Sequence, residues 1–265
     1  MTRAASPATR SAGAFLFRRR SWQRIVRFAG IAIVTALSPA SYGEQGRELA
    51  VRQIYYTAWQ ILPGYALVCA LLGLLLIEVV EVLARKYGVE RFSLELVLSV
   101  LVLELVPLMT ALFVALRSGA AIGAEIALMS VRGELEDKAG AGASPLHAEL
   151  VPRIAGAALG VTALTTFGCA ITIWLAYSAF FGFSSAGVPE FSRIVINVFD
   201  GPELGLFFLK CLLFGLAVAI IPAAAALEAE RGVLESLPAV VLAGLLKLFF
   251  VVAAIEAVTL VVKYV

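Results

Sequence analysis

Long apolar runs alternate with short polar segments along the chain. Five runs are long enough to cross a bilayer, which takes roughly 20 helical residues. They cover residues 64–84, 94–116, 154–181, 204–227 and 237–262. The pattern predicts an all-α membrane protein whose five transmembrane helices form one domain over residues 61–265.

Residues 1–60 form a predicted N-terminal arm with two possible interpretations. Basic and apolar residues occupy opposite faces of a helix: Arg20, Arg24 and Arg27 against Trp22, Ile25 and Ala29. This spacing is typical of an amphipathic helix that lies in the plane of the membrane interface, and we favour that interpretation. The alternative is a signal peptide with its apolar core at residues 28–37, followed by small residues.

Composition supports a membrane protein. Hydrophobic residues make up 61% of the 265 positions and charged residues 15%, whereas soluble domains carry about a quarter charged residues. This much apolar surface exceeds what a soluble core of this size can bury. Ordinary cytosolic enzymes, disordered chains and disulfide scaffolds are therefore excluded.

Lys and Arg set the predicted orientation. Of the 21 basic residues, 14 fall in segments on the side of the N-terminus and five, among them Lys263, fall in segments on the opposite side. Loops rich in Lys and Arg stay in the cytoplasm. The N-terminus is thus expected inside and the C-terminus outside.

The sequence lacks the residues that a metal site, a catalytic triad or a phosphate-binding loop needs. His147 is the only histidine, and three cysteines (Cys69, Cys169 and Cys211) lie scattered in apolar runs. This gives neither a metal-binding spacing nor a catalytic triad. No Gly-Lys dipeptide occurs, so there is no phosphate-binding loop. We expect a non-catalytic chain without cofactor, metal or nucleic acid.

Ionisable residues inside the spans are costly, and they mark candidate functional sites. Glu78, Glu104 and Lys210 fall in the outer half of the bilayer at overlapping depths. Glu104 and Lys210 would form an ion pair if spans two and four are neighbours. The three residues are candidates for the polar lining of a cavity that receives the headgroup of an amphiphile. The Glu104–Lys210 pair would equally serve as a structural link between two helices.

Other charged residues have simpler interpretations. Glu81 and Arg85 are four residues apart and are expected to form a surface pair. Lys247 and Glu256 are nine residues apart, on opposite faces of span five, so they cannot pair with each other. Lys247 is expected to find another partner or to extend toward the inner side.

Two pairs of glycines are spaced four residues apart, Gly119 with Gly123 and Gly156 with Gly160. Small residues at this spacing allow helices to approach closely in membranes. Helix packing is the interpretation that we favour for both pairs.

The segment from Glu104 to Arg153 carries the most specific signal. It reads ELVPLMTALFVALRSGAAIGAEIALMSVRGELEDKAGAGASPLHAELVPR. This segment resembles the signature of the MlaE/YrbE permeases, the membrane subunits of ABC transporters that work with MCE proteins. The resemblance extends over residues 45–265.

The resemblance implies a five-span fold with an N-terminal interfacial helix, in the bacterial inner membrane. It implies a dimer with a second permease copy, an ABC ATPase, an MCE-domain protein and membrane phospholipid as partners, with the C-terminus in the periplasm. It also implies a cytoplasmic coupling helix between spans two and three, within residues 117–153, where the ATPase docks. The residues expected to form that docking surface are Arg132, Glu134, Leu135, Glu136 and Asp137.

The chain departs from this family at four places, one of which is the segment EAERGVLESLP after span four, where most of the family's glycine-rich, basic segment is lost. Leu103 stands where the family usually has arginine, and Val106 where it usually has glycine. Gly133 falls inside the expected coupling helix, where glycine costs up to about 1 kcal/mol relative to alanine.

The sequence thus predicts a permease subunit that couples ATP hydrolysis in a partner chain to lipid movement, with phospholipid as the expected lipid. A non-transporting scaffold or regulatory subunit of an MCE assembly is the alternative. A proton- or ion-driven secondary transporter using Glu78, Glu104 and Lys247 is a third hypothesis.

Overall fold

The computed structural model describes residues 19–36, 44–89, 92–134, 150–182, 184–227 and 237–264. All regular elements in these ranges are helical. The α-helices are α1 (Arg19–Ala36), α2 (Glu44–Ile54), α3 (Leu62–Tyr87), α4 (Ser93–Leu96), α5 (Val106–Val114), α6 (Ala120–Arg132), α7 (Val151–Phe181), α8 (Val188–Val198), α9 (Gly201–Ala226) and α10 (Leu237–Tyr264). Three π-helical stretches, Tyr55–Trp59, Val97–Leu105 and Ala115–Gly119, join neighbouring α-helices end to end.

The prediction of five apolar spans is confirmed. Spans one to five cover Arg47–Tyr87, Ser93–Arg132, Val151–Phe181, Gly201–Ala226 and Pro238–Lys263. Span one includes α2 and α3, so its helix begins within the predicted arm. Span two includes α4, α5 and α6 and extends into the segment after residue 116. We call the end where span four begins the Gly201 end, and the end where span two finishes the Arg132 end.

The segment 182–203, predicted as a loop, contains α8. This helix has 11 residues, too few to cross a bilayer, and for that reason a search for long apolar runs does not find it. Phe191 of α8 packs edge-on against Tyr177 and also contacts Phe181, both from the last turns of span three. The contacts fix α8 against the Gly201 end of span three.

Glycines allow span three to approach spans one and four. A Cβ at position 156 would lie 2.5 Å from the carbonyl oxygen of Ala50, and one at Gly215 would lie 2.7 Å from that of Ala158. A Cβ at Gly168 would overlap the hydroxyl group of Tyr65. Because glycine has no side chain, the backbones meet directly at these positions.

The predicted packing role of both glycine pairs is confirmed. Gly160 faces Thr57 of span one, while Gly119 and Gly123 both face Pro222 of span four. Pro222 lies inside α9, where it contacts the glycine face of span two. The proline ring therefore packs against span two at two positions, Gly119 and Gly123, that have no side chain.

Hydroxyl groups form a polar seam inside the bundle. Tyr65 of span one and Thr110 of span two are hydrogen-bonded at 2.7 Å. Nearer the Arg132 end, Thr57 and Ser118 are hydrogen-bonded at 3.0 Å. Buried polar groups that are satisfied in this way fix the register of two apolar helices against each other.

The N-terminal helix α1 docks on the bundle. Ile25 and Ala32 are buried, and Ala32 packs among apolar residues of spans two, three and four. Arg27 is exposed on the same helix. The apolar side chains of Val26 and Val34 are exposed as well, and the amphipathic helix in the membrane interface stays a prediction.

Spans one and five present most of their apolar side chains outward. Only 17% of the most apolar stretch of span one and 22% of that of span five is buried, against 61% for span two. Leu71 and Leu75 of span one and Val258 and Val262 of span five are more than half exposed. These faces lie against lipid or against another subunit.

Candidate functional site

A buried cluster of charged side chains lies between spans two, four and five, near the Gly201 end. Its members are Glu104, Glu203, Lys210, Glu256 and Lys263. We call it the charged cluster. It holds three carboxylates and two ammonium groups inside an apolar bundle.

Span two positions Glu104 through an unusual helix. The residues from Val97 to Leu105 form a π-helical stretch, which is rare and is frequently found at functional sites. Glu104 is 8% exposed at the inner side of this stretch, while Leu105 is 38% exposed at the outer side. The carboxylate of Glu104 therefore lies in the interior of the bundle, and its neighbours in the sequence, Leu103 and Leu105, are apolar.

Span four positions Lys210 from a well-defined N-terminus. The side chain of Asp200 accepts a hydrogen bond of 3.1 Å from the backbone N–H of Glu203, and Pro202 follows in the first turn. This capping satisfies a free N–H group and fixes where the helix begins. Lys210 lies further along α9 and is only 2% exposed.

The predicted pair between Glu104 and Lys210 is present. Lys210 Nζ donates a hydrogen bond to Glu104 Oε2. The same ammonium lies 2.9 Å from Glu256 Oε2 on span five. One lysine thus bridges carboxylates from two other spans.

Lys263 provides the second cation of the charged cluster. Its Nζ lies 3.1 Å from Glu104 Oε1, 3.2 Å from Ser99 Oγ and 3.8 Å from Glu203 Oε2. The sequence places Lys263 outside span five, in an outer polar segment. That prediction is wrong, because its side chain is 8% exposed and contacts spans two and four.

The charged cluster is closed in this conformation. The cavity beside Glu104 and Lys210 has a volume of about 10 Å³, roughly the least that holds one water molecule. A lipid headgroup needs far more space.

An apolar groove lies on the other side of span two. Its volume is about 370 Å³. It is lined by residues of spans one, two and three, among them Leu72, Leu76, Leu101, Leu105, Met109 and Phe113. Because its walls are almost entirely hydrocarbon, the groove suits an alkyl chain and offers little to a polar group.

Glu78 does not belong to the charged cluster. Its side chain is exposed on span one, between the outward-facing residues Leu75 and Val82. Glu81, one turn further along, forms the predicted surface pair with Arg85. Lys247 is fully buried in span five.

The Arg132 end carries the residues predicted to meet an ATPase. Arg132 Nη1 lies 3.5 Å from Glu134 Oε1 at the end of α6. Gly133, expected inside a helix, instead follows the last residue of α6 with a φ of 75°. Glycine adopts this left-handed conformation without strain and commonly terminates helices there. The other predicted contacts, Leu135, Glu136 and Asp137, lie outside the described residues.

Glu125 and Arg153 join α6 to the start of span three. Their side chains form an ion pair of 2.7 Å. The two residues lie in separate segments of the sequence, so their spacing does not predict this pair. It holds the segment before Gly133 against the base of span three.

The distance of Glu256 from the predicted end of its span is a sequence signal for its place in the charged cluster. Lys210 is six residues from the predicted outer end of span four, and Glu256 is six residues from that of span five. Equal distances from the same membrane surface place the two at one depth. Lys263 gives no such signal, because it lies beyond the apolar run.

In the described part of the chain, no three His, Cys, Asp or Glu side chains are grouped in a way that could hold a metal ion. The three cysteines are free and buried. The thiols of Cys69 and Cys169 donate to the backbone carbonyl oxygens of Gly168 and Val102.

Comparison with known proteins gives one family. The family model described as "Permease MlaE" matches residues 50–262. No curated protein matches the chain. The match includes all five spans almost entirely and every member of the charged cluster except Lys263. Because it covers most of the sequence, this chain belongs to the MlaE permease family.

Proposed function

We propose that this chain is the membrane-spanning permease subunit of an ABC-type, MCE-linked lipid transporter. It would move lipid, with phospholipid as the expected substrate, between the bacterial inner membrane and the periplasm. The observation that carries this proposal is the charged cluster, because ionisable side chains are costly inside membrane spans.

The cost of burying these charges supports a functional role. Charged side chains within membrane spans are rare and typically mark substrate or ion pathways. Lys210 is 2% exposed and bridges Glu104 and Glu256. Apolar residues of similar size would hold the helices together at least as well as a buried ion pair does. Retaining charges here is therefore best explained by a ligand with polar groups.

The apolar groove complements the charged cluster. Span two carries both, with Glu104 on one side and Leu101 and Leu105 on the other. The groove volume of about 370 Å³ lies within the range of small-molecule sites, roughly 300–1,000 Å³. We assign the headgroup of the lipid to the charged cluster and an acyl chain to the groove.

Transport requires the charged cluster to open, and we assign the energy for opening to an ATPase in a partner chain. The N-terminus would face the cytoplasm and the C-terminus the periplasm, so the Arg132 end would meet the ATPase. Arg132 and Glu134, followed by residues 135–137, are the proposed docking surface. Glu125 and Arg153 would pass movement from this surface to the base of span three.

A second permease copy would cover the exposed face of span one. Glu78 is exposed among apolar side chains on this face, where contact with lipid tails would be costly. A subunit interface would supply polar partners or water. Glu78 would then line the lipid pathway from the interface between two copies.

Affinity purification of the tagged chain in mild detergent, followed by mass spectrometry, tests the proposal. Recovery of an ABC ATPase together with an MCE protein is expected. Recovery of neither would contradict the transporter assignment. A tagged five-span membrane protein of unrelated function, expressed at the same level, controls for nonspecific capture.

A non-transporting scaffold is the second candidate function. The closed cavity of about 10 Å³ favours it, because a cluster whose charges already neutralise one another would also serve as a permanent link. Recovery of an MCE protein without any ATPase would support this assignment over transport.

A further inference from the structure

Lys263 lies where the charged cluster meets the Gly201 end of the bundle. Side-chain exposure falls along the cluster from 34% at Glu203 to 8% at Lys263 and 2% at Lys210. Lys263 therefore lies between the most accessible carboxylate and the buried Glu104–Lys210 pair. Its ammonium group contacts both the accessible Glu203 and the buried Glu104.

The side chain of Lys263 helps to fill the space beside the pair. It lines the cavity of about 10 Å³ together with Leu103, Glu104, Glu203, Phe207 and Thr259. Leu103, directly before Glu104, contributes no charge to this space. Among the residues that the structure describes, Lys263 and Lys210 are the two cations in the cavity wall.

Two carboxylates are within reach of the Lys263 ammonium. Glu104 Oε1 lies 3.1 Å away and Glu203 Oε2 lies 3.8 Å away. Lysine has a flexible four-carbon stem and three rotatable donors, so a small rotation exchanges one partner for the other. The exchange frees Glu104 Oε1 without leaving the ammonium unpaired in a medium of low dielectric constant.

We propose that Lys263 is a latch that closes the Glu104–Lys210 site from the Gly201 end. In the closed state the ammonium contacts Glu104, and Ser99 Oγ at 3.2 Å helps to hold it there. In the open state the ammonium pairs with Glu203, and the path to Lys210 is clear. The lipid that would use this path rests on the proposed function, whereas the latch itself does not.

Chemical labelling of a reporter cysteine tests the latch without any transport assay. Thr259 is 5% exposed and lines the cavity, so Thr259→Cys places the reporter behind Lys263. The three native cysteines are buried and provide a low background. A membrane-impermeant maleimide is added to vesicles containing the full chain, from the side on which a Tyr87→Cys reporter reacts. Tyr87 is 71% exposed at the same end of the bundle.

Lys263→Gln is expected to raise the rate of labelling at position 259 by roughly tenfold or more, because the closed state loses one partner of a buried pair. Lys263→Arg should keep the low rate. Lys86→Gln removes an equal charge from an exposed site at the same end and serves as the matched control. Equal labelling rates for Lys263→Gln and the control would overturn the proposal.

Glu203→Gln tests the exchange of partners independently of how well the Lys263 variants fold. Because the open state loses its carboxylate, labelling of the reporter should fall below the parent rate. An unchanged or higher rate would overturn the transfer to Glu203. If the labelling rates change as expected but the chain transports no lipid, the latch is supported. That combination contradicts only the proposed function.

Discussion

Lys210 Nζ lies 2.9 Å from Glu256 Oε2 and also donates to Glu104 Oε2, so one ammonium group joins spans two, four and five. Both carboxylates depend on it, although Glu104 has a second cation in Lys263. Removing Lys210 should consequently affect Glu256 more than Glu104. The charged cluster behaves as a network, in which the effect of one substitution depends on the others.

Lys210→Met should destabilise the bundle by about 3–5 kcal/mol, because it leaves a buried carboxylate without its cation. Combining it with Glu256→Gln should recover part of this loss. Thermal unfolding in detergent, measured for the single and double variants, gives the coupling between the two residues. Arg85→Met, which breaks an exposed pair with Glu81, should cost no more than about 1 kcal/mol. Fully additive effects of Lys210→Met and Glu256→Gln would contradict the network.

Gly168→Ala should destabilise the contact between spans one and three by about 1–3 kcal/mol, the usual cost of overpacking. The new methyl group would overlap the Tyr65 hydroxyl, which is hydrogen-bonded to Thr110. Tyr65→Phe should relieve part of the overlap in the double variant. Gly64→Ala, with nothing within 4 Å of its Cβ, is the matched control for thermal stability. Equal melting temperatures for the two alanine variants would contradict this packing.

Gly133→Ala should cost about 1 kcal/mol, because a residue with a Cβ is strained at a φ of 75°. The helix would be expected to continue past Arg132 and to redirect Glu134. If these residues dock the ATPase, less ATPase should copurify with this variant than with Gly30→Ala, a matched change in α1 at a position with open space around it. Equal recovery of ATPase from both variants would remove the region around Gly133 from the docking surface.

Glu78→Cys should form a symmetric disulfide in membranes if two copies meet along span one. Mild oxidation followed by non-reducing electrophoresis would show a band of twice the monomer mass. Trp174→Cys, on an exposed part of span three, is the control because it is 59% exposed on a different helix. Cross-linking at position 174 but not at position 78 would place the interface elsewhere.

The five spans could be predicted because an apolar run long enough to cross a bilayer has few stable conformations other than a helix. The Glu104–Lys210 pair was predictable because residue counting gives depth along a span. Residue counting failed for Lys263, because a lysine just after an apolar run is assigned to solvent. Only the structure shows that its side chain turns back into the bundle. Counting also failed for α8, whose 11 residues carry no length signal, and for Gly133, whose role depends on a backbone angle.

Lipid transfer by the Glu104→Gln variant tests the central claim most directly. The complete complex is reconstituted with ATP, and transfer of a fluorescent phospholipid is measured beside recovery of the assembled complex. Glu81→Gln, which neutralises a carboxylate of a surface pair on span one, is the matched control. The account predicts normal assembly and a rate reduced by roughly tenfold or more for Glu104→Gln, with little change in the control. Transfer at the parent rate by a normally assembled Glu104→Gln complex would contradict the assignment of the charged cluster to the lipid pathway.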